Sequence, residues 1–303
     1  MMTTALQRIL FAGIVLSLAS GFAGTAHAQT LLRYQYQNGE SRNYELKQTL
    51  TTSSVVAGKE VSNHITQQLQ LSTQVQGVNP DGSARVAKTI SRCQLEVTQP
   101  GNPEPIHFDS ASGTELSGPF GMIANSLNSL VQQQIAMTVC DRGVVSDVSI
   151  PPALEQRFTA PNPGIAGIDT REGLEKMLSQ GSVVFPEQAV KVGEKWSREL
   201  STELPFGTMK SVIDYEYAGR TADGLDRIDA TTRISLTPKE GSPFQVTVKG
   251  ADGQGVYLFD PQRGCVLASG LKQQMLLELS AVGQTLEQTV TTEISMKLLK
   301  SGQ

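Results

Sequence analysis

Strict alternation of apolar and polar positions is the strongest local pattern in this chain. Between residues 65 and 75 the odd-numbered positions are mostly apolar, and the even-numbered ones are all Thr, Gln or Ser. Residues 286–298 alternate in the same way. A period of two predicts strands with one dry face and one wet face, as in an antiparallel sheet covered on one side. Both stretches are longer than usual, and long twisted strands curl, so a bent sheet or partial barrel is expected.

Two stretches of the chain repeat each other at the same internal spacing. Residues 77–89 read GVNPDGSARVAKT, and residues 219–231 read GRTADGLDRIDAT. A second matched pair, 137–146 and 257–269, has a strand, an Asp, a turn glycine and another strand in the same order. The pattern predicts two pseudo-repeated β units, roughly 31–150 and 183–303, that join into one sheet. The alternative is that unrelated hairpins reuse the same turn chemistry.

The Asp-Gly pair in each repeat has two interpretations. Asp-Gly tolerates the backbone angles of a tight hairpin turn, so we expect positive φ at Gly82 and Gly224. Valine at either position should then destabilise the fold by ~1–2 kcal/mol. On the other interpretation, Asp81 and Asp223 are ligand groups on a paired binding rim. Each repeat also has an arginine, three residues past the glycine, that is expected on the solvated face: Arg85 and Arg227.

Helical patterns separate the two units, over roughly 118–181. Residues 118–134 have a proline in the first turn, followed by an apolar stripe: Met122, Ile123, Leu127, Leu130 and Val131. Residues 169–181 have an Asp cap, a Glu three positions later and a final glycine. Residues 151–158 predict a shorter helix, and 159–167 a loop. The predicted fold is therefore α+β, a single domain over 29–303 in which two or three helices cover a large curved antiparallel sheet.

The first 28 residues have the pattern of a signal peptide. Arg8 precedes an apolar stretch, and the segment closes with Ala-His-Ala, which predicts cleavage before Gln29. The apolar run is shorter than the ~20 residues that span a bilayer, and no later segment is long and apolar enough. We expect an exported protein, periplasmic or extracellular, with no transmembrane segment after cleavage.

Composition narrows the choice of partners. The chain has 25 basic and 29 acidic residues, a formal charge of −4, and removal of Arg8 leaves 24 − 29 = −5. The basic residues do not form a cluster along the sequence, so a nucleic-acid partner is not expected. Three cysteines, Cys93, Cys140 and Cys265, allow at most one disulfide. Buried thiols are the favoured interpretation, because a chain of this length can build a core without disulfides.

Candidate chemistry is sparse. Beyond the leader, the histidines are His64, placed where a strand begins, and His107, placed in a Pro-rich loop beside Asp109. His107 oriented by Asp109 would be a general base, but no serine elbow, zinc motif or Cys-His pairing accompanies it. Residues 79–83 and 251–255 lack the spacing of a calcium loop, so both are interpreted as turns. No catalytic residue, metal ligand or cofactor is predicted, and ligand-binding residues are not identified.

Glycine-rich residues 250–255 precede a strand rather than a helix, which favours a turn over a phosphate loop. Trp196 follows a turn at Gly193 and begins the next strand. A tryptophan in that position more often fills a core than lines a cleft, and we expect the same here.

Five stretches, in this order, resemble a family of secreted bacterial β-rich proteins with a domain of unknown function. They are YQYQNGE from Tyr34, RGVVSDVSIP from Arg142, FPEQAVKVGEKW from Phe185, PFGTMK from Pro205 and YLFDPQRG from Tyr257. The resemblance covers nearly all of the mature chain. It implies an exported β-rich domain and assigns no catalytic or binding residue.

Three functional hypotheses follow. A long, one-sided curved sheet with a helical cover leaves an apolar concavity, so the first is a non-enzymatic cell-envelope protein that binds an apolar or lipid-like ligand. Small carriers of the lipoprotein-localisation type share that general plan. The alternative is a structural or assembly protein of the envelope whose Thr/Gln face contacts a partner protein. The third, a hydrolase using His107 or paired acids, has the least support in the sequence.

Overall fold

A computed structural model describes residues 29–300, except 57, 103, 114, 115, 117, 159–177, 179–181, 205, 243, 244, 282 and 283. The predicted signal peptide, the 159–167 loop and, apart from Leu178, the 169–181 helix lie outside the described residues. The elements in chain order are β1 (Ser41–Val56), β2 (Lys59–Val78), β3 (Ala84–Thr98), β4 (Ile106–Asp109), α1 (Gly118–Leu130), β5 (Ile135–Val139), β6 (Val145–Ser149), α2 (Pro152–Phe158), β7 (Lys195–Leu204), β8 (Gly207–Arg220), β9 (Asp226–Pro238), β10 (Gln245–Asp260), β11 (Cys265–Ala281) and β12 (Gln284–Leu298).

All twelve strands belong to one antiparallel sheet. Its order is β6-β5-β3-β2-β1-β12-β11-β10-β9-β8-β7, and β4 pairs with β3 off this path. The large curved sheet is therefore confirmed, but it is open rather than a partial barrel: among the described strands, β6 and β7 are edges that do not pair with each other. The α+β class overstated the helices, because in the described part of the chain only α1 and α2 accompany the sheet.

The predicted one-sided strands form where the alternation places them. Leu69 and Val75 on β2 and Val290 on β12 are buried, whereas the intervening Gln, Thr and Ser side chains are more exposed. Helix α1 packs against the dry face through Ala124, Leu127 and Leu130.

The predicted helices differ from the structure in detail. Helix α1 ends at Leu130, earlier than the predicted stripe, and Met122 of that stripe is exposed rather than buried. The short helix predicted at 151–158 is present as α2. Its Leu154 side chain is buried in a cluster with residues of the sheet.

Two series of strands follow the same order across the sheet. The first series is β1, β2, β3, β5 and β6, the second is β7 to β11, and β12 lies between them. The Asp-Gly stretches form the β2–β3 and β8–β9 hairpins, and their hydrogen bonds correspond. Asn79 N donates to the Ser83 carbonyl over 2.8 Å, and Thr221 N donates to that of Leu225 over 2.8 Å. Each hairpin is also preceded by a bulge, after Val75 and after Tyr217.

Another pair of matching turns precedes the two series and was not predicted. Gly39 N donates to the Val75 carbonyl, and Val75 N donates to that of Glu40. In the second series Gly193 N likewise donates to the Tyr217 carbonyl, and Tyr217 N donates to the Glu194 carbonyl. Each turn therefore ties the start of its series to the hairpin of that series.

The amino-terminal segment, residues 29–37, shows how strongly the sheet bends. Tyr34 N donates to the Asp141 carbonyl in the β5–β6 turn, and Gln35 N donates to the Gly264 carbonyl in the β10–β11 turn. In a flat sheet, five or six strand spacings would hold those turns about 25–30 Å apart. Consecutive residues bind both, so the sheet must curl around this segment.

Two placements inferred from the sequence were wrong. Residues 250–255 lie inside β10, not in a turn, and the register there shifts between Val248 and Gly250. His64 lies well inside β2, where its ring Nδ1 is 2.8 Å from the Thr51 hydroxyl on β1. In both cases the strand is longer than the local pattern indicated.

Trp196 near the start of β7 is partly buried and packs against the core, which supports the predicted core role over a place in a cleft. Its ring stacks on Tyr215, and its indole N–H donates to the Val184 carbonyl over 2.9 Å. The three thiols are free, with Cys93 and Cys265 buried and Cys140 half-buried.

Candidate functional site

An apolar chamber lies on the dry face of the sheet, where it curls around the amino-terminal segment. Its volume is about 200 Å³, larger than the ~150 Å³ engineered cavity that holds benzene. Tyr34 and Tyr36 of the amino-terminal segment contribute to its wall, and Leu130 and Gln133 contribute from the end of α1. The strands supply most of the remaining lining: Arg42, Tyr44, Leu46, Leu69, Leu71, Thr73, Val86, Lys88, Thr89, Ile90, Ile135, Val139, Cys265, Val266 and Met296.

One of the two cations in this lining, Arg42, already has hydrogen-bond and charge partners within the protein. Its Nε and Nη2 donate to the Glu40 carboxylate over 2.7 and 2.8 Å, and Nη2 also donates to the Gln35 carbonyl over 2.6 Å. Its guanidinium further stacks over the Tyr36 ring. Arg42 therefore holds the amino-terminal segment against β1, and its charge is neutralised by Glu40.

The other cation, Lys88, has no carboxylate partner among the described residues. It lies on β3 opposite Thr73 of β2, and its ammonium donates to the Leu178 carbonyl over 3.3 Å. Among the described residues that line the chamber, there is no Asp or Glu. Burial lowers the pKa of Lys88 to about 8, because the apolar surroundings disfavour the charged form. The chamber is thus an apolar cavity with one cation in its wall that no described carboxylate pairs with.

The corresponding position in the second series is filled. Thr73 pairs with Lys88 in the β2–β3 hairpin, and Tyr215 pairs with Ala230 at the same distance from the β8–β9 turn. The Tyr215 side chain is 2% exposed. The first series therefore has a small residue and a cation where the second has an aromatic ring and a methyl group.

Aromatic residues pack tightly beside the chamber. Phe185 stacks on Tyr34 with ring centroids 4.9 Å apart, and Phe259 meets both rings edge-on at 5.0 and 5.7 Å. Four of the five stretches that carry the family resemblance, those beginning at Tyr34, Arg142, Phe185 and Tyr257, contribute side chains or backbone bonds here. These four stretches are thus adjacent in space, and the first of them contributes Tyr34 and Tyr36 to the chamber wall.

The histidine base considered from sequence is not assembled. His107 and Asp109 lie on strand β4, not in a loop, and the His107 ring is 3.6 Å from the Glu96 carboxylate. Asp109 instead binds the Arg92 guanidinium and the Gln94 amide. The hydrogen bond from Arg92 lowers the pKa of Asp109 to about 2, so this carboxylate serves an ion pair between strands.

The Asp-Gly segments have the geometry of turns. Gly82 and Gly224 have φ of 82° and 80°. Asp81 accepts hydrogen bonds from the backbone and hydroxyl of Ser83, which lowers the pKa of Asp81 and stabilises the turn. An arginine follows each of these turns. The Nε of Arg227 is 2.7 Å from the Asp229 carboxylate on the polar face. Arg85 donates to the Asp147 carbonyl.

A second concavity, of about 780 Å³, lies on the polar face of the sheet. Four of its charged side chains form two ion pairs, Arg227 with Asp229 over 2.7 Å and Lys272 with Glu293 over 2.7 Å. Lys47 also lines this concavity, which is open to solvent. The described His, Cys, Asp and Glu side chains form no group of three that could hold a metal ion. Nor does any helix in the described ranges have the length and apolar character needed to cross a membrane.

Sequence reasoning missed Lys88, although a signal was present. Ala84, Val86, Lys88 and Ile90 alternate along β3, so the period that identified the dry face also places a lysine on it. A charged residue in the apolar register of a strand is costly unless something pairs with it. What the sequence could not indicate is that the sheet bends enough to enclose this position.

Fold and chamber together define a curved antiparallel sheet that encloses an apolar cavity around its own amino-terminal segment. The chain matches no protein-family model and no curated protein sequence. Among solved structures it is similar to a lipovitellin studied for its lipid–protein interactions, with a TM-score of 0.45 and 9% identity over 88% of this chain and 26% of lipovitellin. The chain therefore spans about a quarter of that structure's length.

Two further solved structures are similar at lower TM-scores. One is an outer membrane channel from Pseudomonas putida F1, with a TM-score of 0.19 and 7% identity over 88% of this chain and 97% of the channel. The other is a DUF1329 family protein from Desulfovibrio piger, with a TM-score of 0.14 and 10% identity over 86% of this chain and 87% of that one. At these identities and TM-scores, none of the three indicates what this chain binds.

Proposed function

We propose that this is an exported, non-enzymatic protein of the cell envelope that holds an apolar or lipid-like ligand in the chamber. The observation that carries the proposal is the chamber itself, about 200 Å³ of mostly apolar wall on the dry face of the curved sheet. Cavities lined by apolar side chains with a few polar groups are typical of small-molecule sites. The Ala-His-Ala cleavage pattern supports export, and the family resemblance supports an exported β-rich protein.

The contrast between the two strand series supports a binding role for the cavity. Dense packing is the rule in protein cores, and the second series follows it with Tyr215, Phe259 and Ile228, each at most 2% exposed. At the corresponding positions the first series has Thr73, Val139 and Val86. An unfilled cavity lowers stability, so its presence on only one side favours a use for the space.

The test is binding of the neutral apolar dye N-phenyl-1-naphthylamine, followed by its fluorescence increase. Thr73→Tyr and Val139→Phe each install the residue of the second series at the chamber, and we expect each to weaken dye binding at least about tenfold, because the ring occupies the cavity. Thr247→Tyr makes the same substitution on an exposed position of β10 and should leave binding unchanged.

Circular dichroism and thermal melting identify variants that fold. Val139→Phe tests the same cavity independently, in case the introduced tyrosine ring overpacks the core and unfolds the Thr73→Tyr variant. Full dye affinity in a folded chamber variant would overturn the proposal. Native mass spectrometry of the protein from its own host adds a second arm: retained apolar ligand mass supports a carrier, whereas a ligand-free mass with a co-purifying protein supports the assembly role.

A further inference from the structure

Lys88 indicates the kind of ligand that the chamber accepts. An ammonium group enclosed by apolar side chains is destabilising unless it is paired, and the Leu178 carbonyl satisfies it only partly. Arg42 differs, since Glu40 already neutralises it. Among its described lining residues the chamber has two cations, only one of which pairs with a carboxylate, although the net charge of the chain is −4.

The groups around Lys88 complete an amphipathic site. Thr73 lies opposite it on β2, and Thr89 and Gln133 line the same chamber, so hydroxyl and amide groups belong to the same cavity as the ammonium. Leu71, Ile90 and Ile135 continue the wall as an apolar surface. The polar end and the apolar wall therefore belong to one cavity.

We propose that the chamber binds a single-chain amphiphile with an anionic headgroup, and that Lys88 binds the headgroup. This inference rests on the proposed function and specifies its ligand class. A carboxylate or phosphate would supply the missing charged partner through a charge-assisted hydrogen bond. A volume of about 200 Å³ is below the ~300–1,000 Å³ of pockets for drug-sized ligands, so one acyl chain fits better than a two-chain phospholipid.

The second series provides an internal comparison. Ala230 occupies the position equivalent to Lys88, and there the neighbouring Tyr215 ring fills the space. Charge and cavity are thus present together in the first series and absent together in the second. A lysine retained only for solubility would be expected on the wet face, as Lys272 is.

The experiment compares dodecanoic acid, dodecyl phosphate and 1-dodecanol by isothermal titration calorimetry at pH 7. We expect both anions to bind at least about tenfold more tightly than the alcohol, the usual size of a charged hydrogen bond. Lys88→Met should remove this preference while leaving dodecanol affinity within about twofold. Lys88→Arg should retain most of it, because the charge remains. Lys272→Met, on the exposed polar face, is the matched control and should behave like the wild type.

The outcomes separate the inference from the proposed function. If dodecanol binds as tightly as the anions, or if folded Lys88→Met keeps the preference, the headgroup assignment is wrong and the apolar carrier stands. If none of the three ligands binds and the neutral dye also fails, the proposed function itself is wrong. Extraction of phosphatidylglycerol from vesicles in preference to dodecanoic acid would overturn the single-chain assignment. Selectivity for dodecyl phosphate over dodecanoic acid, or the reverse, identifies the headgroup.

Discussion

The two strand series of this sheet share their strand order, their Asp-Gly hairpins and the bulge before each hairpin, yet one is filled by large side chains and the other borders a cavity. In the second series Tyr215 and Phe259 fill the dry face, and in the first Thr73 and Val139 leave it open. Backbone hydrogen bonds set the shared frame, and the volume of the side chains on the dry face differs between the two. The comparison shows how one sheet architecture can support a filled core on one side and a cavity on the other.

The polar residues of the two series differ in the same way. In the second series the fully buried Asp226 accepts hydrogen bonds from the Tyr217 hydroxyl and the Arg220 guanidinium, so its charge is satisfied within the protein. In the first series the half-buried cation Lys88 has no charged partner among the described residues. The charge of Asp226 is thus neutralised by a neighbouring side chain, whereas that of Lys88 is not neutralised by any described side chain.

The largest expected effect concerns core volume. Phe259→Ala should lower the free energy of unfolding by about 3–5 kcal/mol, because it empties a well-packed aromatic core. Val139→Ala, the equivalent change in the first series, should cost only about 1–2 kcal/mol, since it removes two methyl groups beside an existing cavity. Urea denaturation measures both, and equal losses would contradict the difference in packing between the series.

Removing the buried carboxylate should have the next largest effect. Asp226→Ala leaves the Tyr217 hydroxyl and Arg220 without their acceptor, and we expect a loss of about 2–3 kcal/mol, reduced from the fully buried case because Arg220 is half-exposed. Asp229→Ala removes an exposed partner of Arg227 and should cost no more than about 0.5 kcal/mol. Thermal melting of the two variants compares them, and similar melting temperatures would show that the Asp226 network contributes little.

The equivalence of the Asp-Gly turns predicts equal costs. Gly82→Val and Gly224→Val place a branched side chain at positive φ, so each should destabilise the fold by ~1–2 kcal/mol. Unfolding free energies that differ by more than about 1 kcal/mol would argue against corresponding turns. Asp81→Ala and Asp223→Ala should leave dye binding unchanged, whereas loss of binding would revive the alternative of a ligand rim.

The smallest expected effect is a pH dependence of anion binding. Lys88 loses its proton as pH rises through about 8, so dodecanoate affinity should fall up to about tenfold between pH 7 and 9. The other ionisable groups of the chamber do not share this change: burial raises the pKa of Tyr34, Tyr36, Tyr44 and Cys265, and Arg42 stays charged. Dodecanol affinity should not change over the same range. Calorimetry at each pH provides the check, and a flat dodecanoate profile would remove Lys88 from the site.

That the chain contains two copies of one β unit stays a prediction. The matched hydrogen bonds of the Asp-Gly hairpins, the matched bulges and the unpredicted pair of Gly-Glu turns at Gly39 and Gly193 all support it. The β5–β6 and β10–β11 turns do not match in length, since the glycine follows the aspartate by two residues at Gly143 and by four at Gly264. Hairpin chemistry alone would not produce corresponding turns at the same place in both series.

The sequence by itself determined the features that depend on neighbouring residues. The alternation at 65–75 and 286–298, the Asp-Gly turns at 82 and 224 and the helix over 118–130 all follow from local backbone preferences and a period of two or three to four residues. Only the tertiary structure decided that Tyr34, Phe185 and Phe259 would pack into one aromatic cluster, that His107 and Asp109 would not form a pair, and that Lys88 would face a cavity. These facts depend on the strand order and on how far the sheet bends. Both are set by contacts between residues far apart in the chain, and the local spacing of residues carries no information about such contacts.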